Sequence, residues 1–295
     1  MGVQTMITKE QREQRRHGVG GSDIGAIMGI NPYVTALDIY KAKKEEPHEE
    51  TETAAIEWGN RLESVIAQKF QDNHPDMDIV LSPETVIRGH KIANLDGAIG
   101  EDGVLEIKTA NAFSEAWDNG VPAYYQAQVQ WYMGVTDTDF AYVAVLIGGN
   151  DYREYRIDRD NAFIARAFDA ADKFWSDFEN DSPPAPQNTK EAGAVYPESI
   201  KDTYIDADED LIKAASRLKE IKGELKDLES EEETLKTKLM KAMGAAENIR
   251  NGKDILCTWK TTKTNRFNSN AFKEAEPGLY EQFKTEQTYR TFRIK

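Results

Sequence analysis

The chain has 295 residues, 39% of them hydrophobic and 30% charged, which is enough for a sizeable core beneath a heavily charged surface. No apolar run approaches the roughly 18 residues of a bilayer span, and the start of the chain lacks a signal-peptide core, so a cytoplasmic protein without membrane contact is expected. One cysteine, Cys257, excludes an intrachain disulfide and any cysteine-ligated zinc or iron–sulfur centre within one chain. The net charge of −15 argues superficially against nucleic acid, but it is unevenly spread. Residues 1–200 carry 18 Lys/Arg against 34 Asp/Glu, whereas residues 249–295 carry 10 against 5. A local field decides what a channel binds, so an acidic body with a basic tail remains compatible with DNA.

In chain order, residues 4–16 read as a polar helix or arm. Glycines at 18, 20, 21, 25 and 29 follow, with Ser22 or Asp23 placed to cap a short helix. Its free N–H groups and the nearby Arg16 suit a phosphate; a tight loop packing a small helix is the plainer alternative. Asn31-Pro32 opens a second helix through Lys44, and residues 43–53 form a charged loop. Residues 56–70 are an amphipathic helix with Ile56, Leu62, Val65, Ile66, Ala67 and Phe70 available for its apolar face. Glu63 lies within that set, where a carboxylate needs a metal or a lysine as partner.

Strands are expected over 79–81, 85–87, 92–95 and 104–108. Alternation puts Leu105 and Ile107 on one face of the last strand, and Glu106 and Lys108 on the other. A hairpin between 92–95 and 104–108, turning through Gly97 to Gly103, brings Asp96 beside Glu106. Two carboxylates and a lysine then suit a hard divalent cation and a group that orients or deprotonates water. Alone, Glu-x-Lys on a strand more often marks a solvated face. A short helix over 112–119, a helix over 123–133, strands over 140–147 and 152–157, and a helix over 160–179 complete an α/β core, a mixed sheet flanked by helices. The glutamines at 126, 128 and 130 cannot all face one site of a helix.

The prolines at 183, 184 and 186 mark a linker. The expected division is a domain over 1–181, a linker over 182–205, a long helix over 206–245 and a small basic α+β tail over 246–295. Leu218, Ile221, Leu225, Leu228, Leu235 and Leu239 follow heptad steps, interrupted by Glu232, and read as a coiled-coil seam or as a helix lying on its own domain. In the tail, residues 255–261 and 289–294 read as pairing strands around a helical 272–283. Its basic residues, interleaved with Trp259, Phe267, Tyr280 and Tyr289, suit nucleic acid as well as a small core.

Five motifs in this order, Gly20-Gly21-Ser22-Asp23, Trp58-Gly59 through Glu63, Leu95-Asp96-Gly97, Glu106-Ile107-Lys108 and Gln126-Ala127-Gln128-Val129-Gln130, resemble the YqaJ-type viral recombinase nucleases, relatives of phage lambda exonuclease in the PD-(D/E)xK nuclease superfamily. The resemblance implies a Mg²⁺-dependent exonuclease, with Mn²⁺ as a substitute, that digests duplex DNA ends 5′ to 3′ and leaves a 3′ single strand for recombination by annealing. It implies Asp96, Glu106, Glu63 and the Ile107 carbonyl as metal ligands, Lys108 positioning or activating the attacking water, and Gln128 touching that water or the lysine. Arg16, or alternatively Arg15, and Ser22 would bind the 5′-terminal phosphate. It further implies a trimeric ring, an annealing or single-strand-binding protein as partner, and a phage- or prophage-encoded protein in a bacterial cytoplasm. A structure-specific or nicking endonuclease on the same core, and a non-enzymatic DNA-binding or assembly module, are the competing readings.

Overall fold

The computed structural model describes residues 14–45, 53–286 and 288–295. Most of the expected arm over 4–16 and of the loop over 43–53 lies outside the described residues. The chain divides into two compact units, Met1–Asn188 and Thr189–Lys295.

The first unit is built on a five-stranded sheet. It contains β1 (Ile79–Leu81), β4 (Gly97–Ile99), β5 (Gly103–Ala110), β6 (Phe140–Ile147) and β7 (Asp151–Asp158), in the order β1-β4-β5-β6-β7. All neighbours are antiparallel except β5 and β6, which run parallel, Glu106 opposite Val143 and Lys108 opposite Val145. A parallel neighbour requires a crossover, and α4 (Ala123–Thr136) supplies it. Sequence character sets strand position. The apolar run Phe-Ala-Tyr-Val-Ala-Val-Leu-Ile suits central β6, while the polar alternation of β7 suits an edge. A separate two-stranded hairpin joins β2 (Val86–Arg88) to β3 (Lys91–Ala93), and Gly89 turns it with φ of 62°.

Helices cover both faces of the sheet. α3 (Ala54–Asn73) packs Ile66, Ala67 and Phe70 against Leu105, Ile107 and Ala144. On the other face α1 (Gly21–Ile27), α4 and α5 (Asn161–Glu179) bury Ile24, Val129, Trp131, Met133, Ala167 and Phe174 with Val104, Val143 and Val145. α2 (Ala36–Lys44) adds Leu37 and Tyr40 to the buried set. Side-chain bonds fasten these layers. The Trp131 indole donates to the Ile92 carbonyl at 2.9 Å. Gln130 donates to the Asp158 carbonyl and accepts from the Asp160 amide, both at 2.8 Å, joining the end of β7 to the start of α5.

Several boundaries differ from expectation. β5 pairs with Gly97–Ile99, not with residues 92–95, because β3 is taken up by the hairpin with β2. The first helix is capped by Gly20 rather than Ser22 or Asp23, since the Asp23 carboxylate reaches back to accept the Gly20 amide at 3.0 Å. The second helix starts at Ala36, where Thr35 and Asp38 cap it reciprocally. Residues 112–119 provide only a 3₁₀ turn, Glu115–Trp117. On α3, Ile56 and Val65 stay exposed at 48% and 58%, because the Leu62, Ile66 and Phe70 row faces the sheet.

The second unit contains α6 (Thr189–Val195), the 35-residue α7 (Glu209–Met243), a hairpin of β8 (Asn248–Asn251) with β9 (Asp254–Thr258), and α8 (Ser269–Ala275) and α9 (Pro277–Gln282). The partner of β9 is thus β8, and residues 289–294 form no strand. The span expected as linker contains α6. Asp208 caps α7, accepting the Leu211 amide at 2.9 Å, and Gly244, with φ of 53°, ends it. Of the seam residues, Leu225, Leu228, Leu235 and Leu239 are exposed within this chain.

Where α4 crosses α5, a β-carbon on Gly134 would lie 2.6 Å from an Ile164 methyl and 2.9 Å from the Phe168 ring. Gly134→Ala is therefore expected to lose about 1–3 kcal/mol despite its better helix propensity. Chemical denaturation with intrinsic tryptophan fluorescence measures this, and an unchanged midpoint would contradict the packing argument.

Candidate active site

The site forms where β5 meets α4, with contributions from the segment between β3 and β4 and from α3. Alternation on β5 sends Leu105 and Ile107 into the α3 layer and Glu106 towards α4. Glu106 is no solvated strand residue: it is 1% exposed. Its Oε1 accepts from the Lys108 ammonium, in a close ion pair, and from the Gln128 amide at 2.7 Å. Its Oε2 is buried and meets no donor among the described residues. Asp96 caps the other side of the strand, its Oδ2 accepting the Ile107 amide at 2.8 Å. The expected juxtaposition of Asp96 and Glu106 therefore occurs, reached through the β4–β5 hairpin.

Electrostatics join Glu63 to this group. Burial, then the Asp96 and Glu106 charges, push the Glu63 carboxyl up to about 8. Burial and Asp96 push Glu106 up to about 7, against the pull of Lys108. Asp96 is also raised, by burial, with Lys108, the Ile107 amide and Arg15 opposing. For Lys108, burial disfavours the charge, but Glu106 and Asp96 outweigh it and hold the amine protonated well above its ordinary range. Burial raises all three carboxyls, and the Asp96 charge adds to the rise at Glu63 and Glu106, so the place lacks positive charge.

Among the described residues no three acidic or histidine side chains already form a cation cage. The Lys108 ammonium stands on Glu106 Oε1 instead. The partnerless buried Oε2 and the hard oxygen donors of Asp96, Glu106 and Glu63 fit a divalent cation such as Mg²⁺.

α4 presents Tyr124, Gln128 and Tyr132 at helical i, i+4, i+8 spacing. Gln128 donates to Glu106 and also to the Tyr132 hydroxyl at 3.0 Å. Gln126 instead donates to the Val121 carbonyl and Gln130 to the Asp158 carbonyl, so one glutamine of the three reaches the site. The glycines of α1 match this stripe. A β-carbon on Gly21 would fall 2.4 Å from the Tyr132 ring, and one on Gly25 would fall 3.2 Å from Tyr124. The Gly-Gly-Ser-Asp-Ile-Gly stretch thus lets α1 close on α4. Ser22 itself is exposed on the first turn.

Of the two arginines, Arg16 donates to the Glu45 carbonyl at 2.8 Å, while the Arg15 charge acts on Asp96, Glu106 and Tyr132. Lys43 is a further buried cation, between the Arg15 carbonyl at 2.7 Å and Asp23 at 2.8 Å, fastening α2 to the segment that carries Arg15. Sequence reasoning missed Tyr132 and Lys43. The i+4 step from Gln128 pointed to the first, whereas no local signal marked the second.

A mixed sheet flanked by helices, with Asp96 beside a Glu-x-Lys strand, has the PD-(D/E)xK fold. A model of the YqaJ-like viral recombinase domain matches residues 11–139. The chain is 31% identical to the protein YqaJ of Bacillus subtilis (strain 168) over 306 residues, covering 96% of this chain and 92% of that one. Among solved structures it is similar in fold to an alkaline exonuclease, LHK-Exo, from Laribacter hongkongensis. That likeness has a TM-score of 0.50 at 20% identity and covers 64% of this chain and 99% of the exonuclease. The protein belongs to the YqaJ-like viral recombinase family.

The raised Glu63 pKa carries a stability consequence. Its folded value of about 8 lies above the ordinary value of 4.5, so its contribution is fully present below about pH 4.5 and is lost as pH rises through 8. In chelator-containing buffer Glu63→Gln is expected to stabilise the protein at pH 9, on the order of 1–2 kcal/mol after allowing for solvent screening, and to change little at pH 4. Denaturation midpoints of both forms across this range test it; a pH-independent difference would refute it.

Proposed function

We propose that this protein is a divalent-metal-dependent deoxyribonuclease that digests duplex DNA from its ends, 5′ to 3′, leaving a 3′ single strand for recombination by strand annealing. The observation that supports it most is the buried cluster in which Glu106, short of one partner, is shared by Lys108 and Gln128 and faces Asp96 and Glu63. A name in the family of viral recombinases, and a fold shared with an alkaline exonuclease, agree with that chemistry.

In this reading Asp96, Glu106, Glu63 and the Ile107 carbonyl hold Mg²⁺, with Mn²⁺ as a substitute. The bound ion supplies neutralisation of the scissile phosphate and a water acidic enough to attack near neutral pH. Lys108, held protonated beside Glu106, would donate to a phosphate oxygen and orient the attacking water. Gln128 keeps Glu106 in one rotamer, and Tyr132 keeps Gln128. Arg15 is the better candidate for the terminal 5′-phosphate, because its charge already lies in the field of the site; Ser22 would join it, and Arg16, which donates to the Glu45 carbonyl, is the alternative. Exposed leucines along α7 make the second unit an arm for self-association or for a single-strand-binding or annealing partner. A trimeric ring is the homo-oligomer expected in this reading.

End-labelled linear duplex with Mg²⁺ is the direct assay. Wild type is expected to release nucleotides from 5′-phosphorylated ends and to leave covalently closed circles intact. Lys108→Ala should be at least about 100-fold slower with an unchanged circular dichroism spectrum. Arg15→Ala should abolish the advantage of a 5′-phosphate over a 5′-hydroxyl more than Arg16→Ala does. Undiminished release by Lys108→Ala, or cleavage of closed circles, would remove the exonuclease reading.

For the arm, Leu225→Asp with Leu228→Asp should lower the solution mass or abolish partner capture. If light scattering and binding are both unchanged, the seam has no such role.

A further inference from the structure

An aromatic row leads from Lys108 to the surface of the first unit. The Lys108 ammonium lies 4.9 Å from the Tyr125 ring centre. Tyr125 and Tyr124 open α4 side by side, with centroids 4.4 Å apart. Tyr124 in turn meets Tyr33 edge to face, at 6.0 Å and 85°. Tyr33 is 74% exposed, so one end of the row is in solvent and the other is at the lysine.

Isolated exposed aromatics are ordinary and need no explanation. This row differs in being held at each member. Gly25 makes room for Tyr124, and buried Trp117 backs Tyr125 at 5.6 Å. The Asn31 side-chain oxygen accepts the Tyr33 amide at 2.9 Å and the Val34 amide at 3.3 Å, which fixes the loop that presents the ring. Burial first, then Tyr125 and Tyr33, push Tyr124 up to about 12, so its hydroxyl remains a donor through the neutral range.

We propose that Tyr33, Tyr124 and Tyr125 form a nucleotide subsite in which Tyr33 stacks on a terminal base of the DNA while the Tyr124 and Tyr125 hydroxyls donate to the phosphate or sugar oxygens leading to Lys108. The proposal rests on the nuclease reading and adds the part of the substrate that the acidic cluster cannot hold. Stacking on an aromatic face tolerates every base, which suits an enzyme that digests without regard to sequence, and it favours purines modestly through their larger rings. The acidic body of the protein, which repels the phosphate backbone over long range, makes a base-directed anchor useful beside the few cations of the site.

Two measurements on the full chain test it. The first uses a linear duplex with 2-aminopurine at the 5′ end and the Lys108→Ala protein, which binds without cutting. Binding should quench the fluorophore, and adding Tyr33→Ala should remove the quench while Tyr33→Phe keeps it. The second is steady-state digestion of duplexes that differ only in the terminal nucleotide. Tyr33→Ala is expected to raise KM about tenfold, leave kcat within about twofold, and lose the purine preference. Tyr33→Phe should match wild type, because the ring and not the hydroxyl makes the stack.

An unchanged KM and purine ratio in Tyr33→Ala, alongside an inactive Lys108→Ala, would overturn the subsite and leave the nuclease standing. If wild type releases no nucleotide at all, the nuclease reading fails instead, and absence of the 2-aminopurine quench then removes the subsite as well. Tyr33 is largely exposed, so its replacement by alanine leaves the fold intact and these outcomes interpretable.

Discussion

The Glu106 carboxylate is buried in the middle strand of the sheet, and the first unit is arranged around keeping it partnered. Removing a charge from water is costly, and leaving it unpaired in the interior costs about 3–5 kcal/mol more. Lys108, two residues on, supplies the counter-charge because strand alternation returns it to the same face. Gln128 supplies the second donor because the parallel pairing of β5 and β6 forces the intervening helix to cross over that face. Tyr132 then holds Gln128, and Gly21 admits Tyr132. A single buried oxygen pair thereby sets the positions of β5, α4 and α1.

The pairing is incomplete, and that is its functional content. Glu106 Oε2 meets no donor among the described residues, and Glu63 and Asp96 bring further negative potential to the same place. A protein selected only for stability would neutralise such a group or fill it with apolar side chains. Mutually repelling carboxyls beside a largely buried ammonium are an arrangement typical of sites of chemistry. The glycine-rich stretch serves the same end indirectly. Its glycines are spent on close approach to the tyrosines of α4, and its short helix is not by itself an anion site.

The second unit follows a different rule. Glu191 and Met243 are its buried residues among those described, while Leu225, Leu228, Leu235, Leu239, Trp259, Phe267, Phe283 and Phe292 are exposed within this chain. Burying apolar area is what offsets chain entropy, so a unit with so little interior gains its order from local bonds, caps and helix propensity. Heptad spacing along α7 thus leaves Leu225, Leu228, Leu235 and Leu239 without cover among the described residues.

Sequence alone determined the features that depend on neighbours along the chain. The apolar run of β6, the alternation of β5, the amphipathic rows of α3 and α5 and the capped length of α7 all follow from periodicity, and so does the facing of Glu106 with Lys108. The ordered motifs added the family and its core. Tertiary structure decided the rest, because those choices are made between segments. Residues 92–95 could pair with either neighbour, and the β2 hairpin took Ile92 and Ala93; Asp96 still reached Glu106, since the following three residues, Gly97–Ile99, became the strand that pairs with β5. Arg15 and Arg16 are indistinguishable by composition, and only the path of the chain aims one at the carboxylates and the other at Glu45. Nothing local distinguishes Lys43 from its neighbour Lys44, yet packing buries the first between Asp23 and the Arg15 carbonyl. Solvation of Glu106 was likewise not readable from Glu-x-Lys: the strand fixed its direction, and the helix laid across that face made it a buried carboxyl.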